Sequence, residues 1–180
     1  MTSKNGVGVT EIGHDSELKT HVDGCEDPGC YKRTIKYTIS MEQIVAIINQ
    51  SENCEQFIKY ECFNSPFSYS GVKYGWWVSR QGAKMNYWGG AAIDSGKCAC
   101  GMANSCVGGG NCTCDVKDMR LREDSGYLTD KYTLPVAKLR FGAPDDWLEY
   151  GFHTLGKLRC WGSKAESANP FLRRFGTGYF

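Results

Sequence analysis

Five of the ten cysteines lie within seventeen residues, as Cys98-Ala99-Cys100, Cys106 and Cys112-Thr113-Cys114. Zinc needs four ligands in a tetrahedral array, usually from pairs separated by two to four residues. Here a single residue separates the cysteines of each pair, and no histidine is nearby. In a disulfide-linked loop, the two cysteines of a C-x-C pair are poorly placed to join each other, so each needs a partner elsewhere. The spacing therefore favours disulfides, with a zinc site or a free reactive thiol as the alternatives.

The cysteine count also predicts where the protein works. Ten cysteines in 180 residues is a high and even number, and disulfides persist mainly in oxidising compartments. We expect a secreted or extracellular chain, and the N-glycosylation triplets at Asn49 and Asn111 agree with this expectation. The first residues lack the apolar stretch of a signal peptide, which fits a mature chain or an excised piece. The cysteines expected in disulfides are Cys25, Cys30, Cys54, Cys62, Cys98, Cys100, Cys106, Cys112, Cys114 and Cys160.

Aromatic residues form a second group that could bind a ligand. Trp76 and Trp77 lie in one aromatic-rich run, and Tyr87 and Trp88 lie in the next. If these rings are exposed, they could stack against sugar rings and form a carbohydrate-binding or small-ligand surface. The favoured interpretation is that they form the core of a small β-rich domain, because large aromatic side chains supply much of the apolar area available for burial.

Acidic residues after the cysteine cluster could collect oxygen ligands for calcium. The candidates are Asp115, Asp118 and Glu123. The stretch lacks the spacing of a helix-loop-helix calcium site, and Lys117, Arg120 and Arg122 place opposing charges between the acids. A solvated, ion-pair-rich loop is the favoured interpretation. We therefore expect no cofactor, with calcium as the one alternative.

Composition excludes several classes of function. A formal net charge of +1 gives the chain no overall excess of positive charge to attract a phosphate backbone, so nucleic-acid binding is not expected. Apolar runs are only a few residues long, far short of the roughly 20 needed to cross a bilayer, so no membrane insertion is expected. His14, His21 and His153 have no cysteine or serine at a recognisable catalytic spacing, and we predict no enzyme.

One compact domain must position these residues, since 180 residues with 41% hydrophobic content fit a single core. Ser40 and Gln43 form a capping-box pattern, and apolar residues follow at helical spacing, which predicts the main helix over residues 40–49. Residues 89–130 show no periodicity and are predicted to be one long loop tied down by cysteines. Strands are predicted over residues 8–12, 31–39, 58–62, 134–141 and 155–161, with a hairpin formed by 74–80 and 84–88 and a helical turn at 54–57.

Several of these motifs, in order along the chain, resemble one known family. The motifs are residues 40–44, 54–62, 76–78, 87–90, 98–101, 112–115 and 134–136. Together they resemble the fibrinogen-like region of contactin-associated proteins and neurexin-IV-type adhesion receptors, over residues 6–162. The resemblance implies an α+β, fibrinogen C-terminal-like domain, with a twisted, mainly antiparallel sheet, one main helix and a long disulfide-linked loop. Residues 163–180 would then be a tail or peripheral segment.

A weaker resemblance to the C-propeptide of fibrillar collagens implies a disulfide between Cys62 and Cys160. Cys25 and Cys30 enclose the Pro28-Gly29 turn and are expected to join locally, and the six remaining cysteines allow 15 connectivities. The fibrinogen calcium loop has no clear match. The usual N-terminal subdomain of such modules is missing or reduced.

The family resemblance implies a non-enzymatic extracellular module for recognition, adhesion or matrix assembly, whose partner is an extracellular protein or glycan. The alternative is a lectin-like or small-ligand-binding protein that uses the aromatic surface, with or without calcium. The apolar segment at residues 169–180 could dock on a neighbouring copy and form a homo-oligomer, or cover a patch of its own domain.

Overall fold

A computed structural model of the chain describes residues 3–4, 6–144 and 148–163. Within these residues the protein has twelve strands, paired antiparallel, and one main helix. The predicted α+β class with a mainly antiparallel sheet is confirmed. The strands are β1 (Ser3–Lys4), β2 (Val7–Ile12), β3 (Thr20–Val22), β4 (Tyr31–Thr34), β5 (Asn53–Phe63), β6 (Ser68–Tyr69), β7 (Val72–Lys73), β8 (Trp76–Val78), β9 (Leu121–Leu128), β10 (Lys138–Phe141), β11 (Tyr150–Leu155) and β12 (Leu158–Trp161).

The long strand β5 organises the main sheet, which contains seven strands. β9 pairs with β5 along one edge, and β11 and β12 pair with it in succession, all antiparallel. The register shifts by one residue between the pairs Leu155↔Ile58 and Arg159↔Glu55, so β11 and β12 act as one strand interrupted by a bulge at Gly156. β3 and β2 extend the sheet beyond β11 and β12, and β1 lies at the end beside β2.

A smaller sheet of three antiparallel strands has the order β4-β10-β8. β10 lies at its centre, with Arg140 opposite Lys32 on one side and opposite Trp76 on the other. β6 and β7 form a separate two-stranded hairpin. Residues 84–88 do not form the predicted second strand of a hairpin with β8, because a single isolated bridge, Val78↔Lys84, joins the two runs.

The main helix, α1 (Met41–Gln50), begins where the sequence predicts. Ser40 is its N-cap, and its hydroxyl accepts a hydrogen bond from the backbone N–H of Gln43, while the Gln43 side chain accepts one from the Ser40 N–H. This capping box satisfies two backbone donors that the first turn leaves unpaired. Ile44 and Ile48, one turn apart, are fully buried on the face that meets the core.

The core lies on the inner face of the main sheet and includes the inner faces of α1 and of the small sheet. Ile58, Tyr60 and Cys62 alternate inward along β5. Leu139 and Phe141 point inward from β10, and the Phe141 ring stacks on that of Tyr60 with centroids 4.1 Å apart. Closely packed aromatic pairs of this kind dominate the burial available to a domain of this size.

Two sequence expectations for the chain path are wrong. Residues 54–57 belong to β5 and not to a helical turn. β9 lies inside the stretch predicted to be one long loop, and the rest of that stretch carries a one-turn helix, α2 (Ala99–Met102), and two 3-10 turns, Val107–Gly109 and Thr113–Asp115. The expected tail at residues 163–180, including the segment 169–180 expected to dock on a neighbouring copy, lies outside the described residues apart from residue 163. Within the described ranges, no helix is long and apolar enough to span a membrane.

Candidate recognition surface

All ten cysteines form five disulfides, so the thiols of the cysteine-rich loop are not free. The pairs are Cys25–Cys30, Cys54–Cys160, Cys62–Cys114, Cys98–Cys112 and Cys100–Cys106. The local Cys25–Cys30 disulfide is as predicted, and neither C-x-C pair is closed on itself. Together, the last three disulfides hold the loop to itself and to β5.

The Cys62–Cys160 pairing implied by the collagen resemblance is wrong. Cys160 lies directly opposite Cys54 in the β12–β5 register, with their Cα atoms 4.1 Å apart. Cys62 is eight residues further along β5, or about 26 Å at the rise of an extended strand. That distance is far outside disulfide reach, so Cys62 pairs with Cys114 of the cysteine-rich loop instead.

The cysteine-rich loop does not offer a metal site in this arrangement. Among the described residues, the one group of three potential ligands within reach of each other is Cys98, Cys112 and Asp124. The two sulfurs of that group are joined in a disulfide, so neither is available as a thiolate. These residues do not fit zinc.

Asp124, on β9, holds the cysteine-rich loop against that strand through hydrogen bonds. The sequence did not indicate this role. Its carboxylate accepts hydrogen bonds from the backbone N–H groups of Thr113 (3.0 Å) and Cys114 (2.7 Å). The Trp88 indole N–H donates to the Asp124 backbone oxygen at 3.0 Å. Burial raises the pKa of the carboxyl to about 6, although the two backbone donors oppose that shift.

The three predicted calcium ligands are engaged with different partners. Asp115 accepts a hydrogen bond from the Ser68 N–H, and its burial raises its pKa. Asp118 forms an ion pair with Arg122, which lowers the pKa of its carboxyl. Glu123 lies on the solvent side of β9 and pairs with Lys59 at 2.9 Å. The structure does not bring these three carboxylates together.

Three of the four predicted sugar-stacking aromatics are core residues. Trp77, Tyr87 and Trp88 are 0%, 5% and 2% exposed, and the Trp77 indole N–H donates to the Tyr87 backbone oxygen at 2.8 Å. A buried ring offers no face to a sugar, so the stacking surface predicted for these three residues is wrong. Trp76 differs, because it lies half-buried on the outer face of the small sheet.

The outer face of the main sheet carries a different set of aromatic side chains. β5, β9 and β11 alternate between buried inner positions and half-buried or exposed outer positions. Phe63 stacks on Tyr150 across the β5–β11 pair with centroids 4.9 Å apart, and Tyr150 contacts Phe152 edge-on. We define the aromatic face by these outer residues: His21, Phe57, Phe63, Leu121, Tyr127, Tyr150 and Phe152.

Charged residues on the aromatic face are paired with one another. Lys59 forms ion pairs with Glu123 at 2.9 Å and Glu61 at 3.9 Å. Lys19 pairs with Glu61 at 3.1 Å, and its ammonium lies 4.4 Å from the centre of the Phe152 ring. Since each lysine has a carboxylate partner, the face presents half-exposed rings beside neutralised charge.

The predicted glycosylation sites are both exposed. Asn49 lies in the last turn of α1, and Asn111 lies between the two 3-10 turns of the cysteine-rich loop. Neither asparagine lies on a strand that forms the aromatic face. Glycosylation stays a prediction.

Comparison with known proteins identifies relatives that match most of the chain, although no protein-family model matches it. The chain is 36% identical to neurexin-4 of Drosophila melanogaster over 167 residues, which is 88% of the chain and 13% of that protein. It is 32% identical to contactin-associated protein 1 of Rattus norvegicus and 33% identical to that of Homo sapiens, each over 86% of the chain and 12% of the relative. The chain therefore spans about one eighth of the length of these relatives, and its domain is of the type that neurexin-4 and contactin-associated protein 1 contain.

Proposed function

We propose that this chain is an extracellular, non-enzymatic recognition module for adhesion, and that it binds a protein partner through the aromatic face. We further propose that the domain is a fibrinogen-like module, which is what the order of its motifs implies. The observation that carries the proposal is the cluster of half-exposed rings on β5 and β11, formed by Phe63, Tyr150 and Phe152 on the side of the sheet opposite the core.

The chemistry of this face suits a protein partner. Tyrosine and phenylalanine are enriched at the centres of protein interfaces, because a ring brings a large contact area at a low cost in conformational entropy. Leu121 and Tyr127 are 50% and 46% exposed near the two ends of β9, with the outward-facing Glu123 and Ser125 between them, so apolar surface lies at both ends of the strand. Lys59, Glu61 and Glu123 lie between these apolar ends, and their pairing leaves the centre of the face polar but neutralised.

The relatives support a protein as the partner. The name of contactin-associated protein 1 states an association with contactin, and the present chain is similar to a part of that protein. Because the match covers only 12% of it, a contactin-binding role for this domain is a proposal. The extracellular location follows from the same relatives and from the five disulfides.

Binding of the purified, disulfide-intact chain to the ectodomain of a contactin, and to a second copy of the chain, tests the proposal. The double variant Tyr150→Ser/Phe152→Ser should weaken binding at least about tenfold, since central aromatic anchors each contribute about 2 kcal/mol or more. The matched control is Tyr132→Ser, which removes a 70% exposed ring away from the aromatic face and should leave binding unchanged.

Two results would contradict the proposal. The first is unchanged binding by the Tyr150→Ser/Phe152→Ser variant. The second is a wild-type chain that binds neither contactin nor itself at micromolar concentration. Intact mass without reductant should show five disulfides in every variant, which separates lost recognition from lost folding.

A further inference from the structure

A second surface, on the outer side of the small sheet, carries cations without carboxylate partners, whereas the lysines of the aromatic face are ion-paired. Lys32, Trp76 and Arg140 lie side by side across β4, β10 and β8, because Arg140 is the register partner of both other residues. Lys138 lies two residues before Arg140 on the same strand and so points to the same side. The alternate residues Leu139 and Phe141 are buried in the core.

Trp76 contacts two of the cations on this surface. The Lys84 ammonium lies 3.7 Å from the centre of the indole ring, and the Arg140 guanidinium carbon lies 5.7 Å from it. The Arg140 Nε–H donates to the Gly29 backbone oxygen at 2.6 Å, which fixes the orientation of the guanidinium. The backbone of Gly29 in turn packs against the ring, since a Cβ at that position would lie 2.2 Å from Trp76 Cη2.

We call this surface the basic face and define it by Lys32, Lys84, Lys138 and Arg140 around Trp76. Among the described residues, no carboxylate forms an ion pair with any of its four cations. On the aromatic face, by contrast, both Lys19 and Lys59 are ion-paired. Four unneutralised cations on one sheet face repel one another, and a polyanion would relieve that repulsion.

We propose that the basic face binds a sulfated glycosaminoglycan chain. Neighbouring strands are about 4.8 Å apart and alternate residues on a strand are about 6.7 Å apart, so the cations form a flat array along which a linear polyanion can lie. Trp76 is covered by Lys84 on its ring face, and it therefore serves as a platform for cations and not as a stacking site for a neutral sugar. This site is separate from the aromatic face and does not rest on the proposed adhesion function.

Binding to immobilised heparin at increasing salt tests the assignment. Each phosphate or sulfate contact made by a cation releases a counterion, so the logarithm of affinity should fall linearly with the logarithm of salt concentration. The double variant Lys32→Gln/Lys138→Gln should reduce the magnitude of that slope by about 2 and lower the affinity about tenfold or more near 100 mM NaCl. Lys84→Gln should reduce the slope by about 1.

The matched control is Lys19→Gln/Lys157→Gln, which removes the same net charge from two lysines that pair with glutamates elsewhere. It should keep most of the heparin affinity, and so should the aromatic-face variant Tyr150→Ser/Phe152→Ser. Desulfated heparin should bind much more weakly than heparin, and poly-glutamate should compete poorly.

Three outcomes would overturn the proposal. The first is failure of the wild-type chain to bind heparin at about 50 mM NaCl, where electrostatic contacts are strongest. The control double variant could lose as much affinity as the basic-face variant, which would show a response to net charge alone. Poly-glutamate could compete as well as heparin, which would assign the face to an acidic protein segment.

Discussion

Asp124 makes the stability of this protein depend on pH in a direction unusual for an aspartate. In the folded chain its pKa is raised from 3.8 to about 6 by burial. The folded protein therefore holds a proton on Asp124 between pH 4 and 6, where the unfolded chain has released it. Linkage requires that the Asp124 contribution destabilise the fold progressively as pH rises through this window.

The size of the effect follows from the shift. Raising the pKa of Asp124 from 3.8 to about 6 lowers the free energy of unfolding by about 3 kcal/mol at neutral pH. About 2 kcal/mol of this loss develops between pH 4 and pH 7. His153 acts in the opposite direction, because burial lowers its pKa to about 4 and acidification below pH 6.5 then favours the unfolded chain. The two effects partly cancel in the wild-type protein.

A comparison with Asp124→Asn isolates the aspartate, because His153 is present in both proteins. We expect the unfolding free energy of the wild type, minus that of the variant, to fall by about 2 kcal/mol between pH 4 and pH 7. The amide loses one backbone hydrogen bond, but this offset does not change with pH. Urea titrations followed by tryptophan fluorescence, without reductant, measure the difference at each pH.

Asp118→Asn provides the control. Arg122 lowers the pKa of Asp118, so this carboxyl is ionised in both states above pH 5 and its difference curve should be flat there. If the difference in unfolding free energy between the wild type and Asp124→Asn stays constant within about 0.5 kcal/mol across pH 4 to 7, the conclusion that the Asp124 carboxyl is buried and protonated in the folded chain is refuted.

Two further predictions concern the supports of the basic face and of the cysteine-rich loop. Gly29→Ala places a Cβ against the Trp76 ring at a position with φ +61°, whereas the Cβ of Gly71→Ala, at φ +77°, meets nothing within 4 Å. Urea titrations should show that Gly71→Ala lowers the free energy of unfolding by about 1 kcal/mol and that Gly29→Ala lowers it clearly more. The Cys62–Cys114 disulfide closes 52 residues and Cys25–Cys30 closes 5, so replacing the first pair by serine should cost about 4 kcal/mol and the second about 2 kcal/mol, and equal losses would argue against the longer linkage.

The elements that the sequence predicted well are those whose signals are local. The start of α1 was predictable because Ser40 and Gln43 satisfy the first-turn backbone donors within four residues of chain. The local Cys25–Cys30 disulfide was predictable for the same reason, since a Pro-Gly turn lies between its two cysteines. The strand β5 was found in part, where apolar and charged residues alternate.

β9 was missed because its inward positions are not apolar side chains. Asp124 faces inward and holds the loop backbone. The next inward position is Gly126, where the backbone of Gly89 approaches so closely that a Cβ would lie 2.4 Å from its carbonyl oxygen. Only Leu128 among the inward residues of the strand is a buried hydrophobic residue. A search for alternating apolar residues cannot detect a strand whose inner face is made of a carboxylate and a glycine.

The candidate surfaces were missed because they depend on register and not on sequence proximity. Phe63 and Tyr150 are far apart in the chain, and only the β5–β11 pairing stacks their rings. The two aromatic pairs that the sequence did single out were mostly core. Trp77 shares the buried sheet face of Leu139, and Trp88 packs against Phe67 and Phe141.

Net charge proved a poor guide to the basic face for a related reason. The chain has 21 basic and 20 acidic side chains, a sum that argues against polyanion binding when it is taken over the whole molecule. The fold distributes these charges unevenly. Lys59 on the aromatic face is neutralised by a glutamate on the adjacent strand and by another two residues away, whereas Lys32, Lys138 and Arg140 share a face with a tryptophan and a threonine. Electrostatic attraction acts over about a Debye length, roughly 10 Å at 0.1 M salt, so a ligand responds to the face it meets and not to the total. The two surfaces can therefore select different partners on one nearly neutral domain.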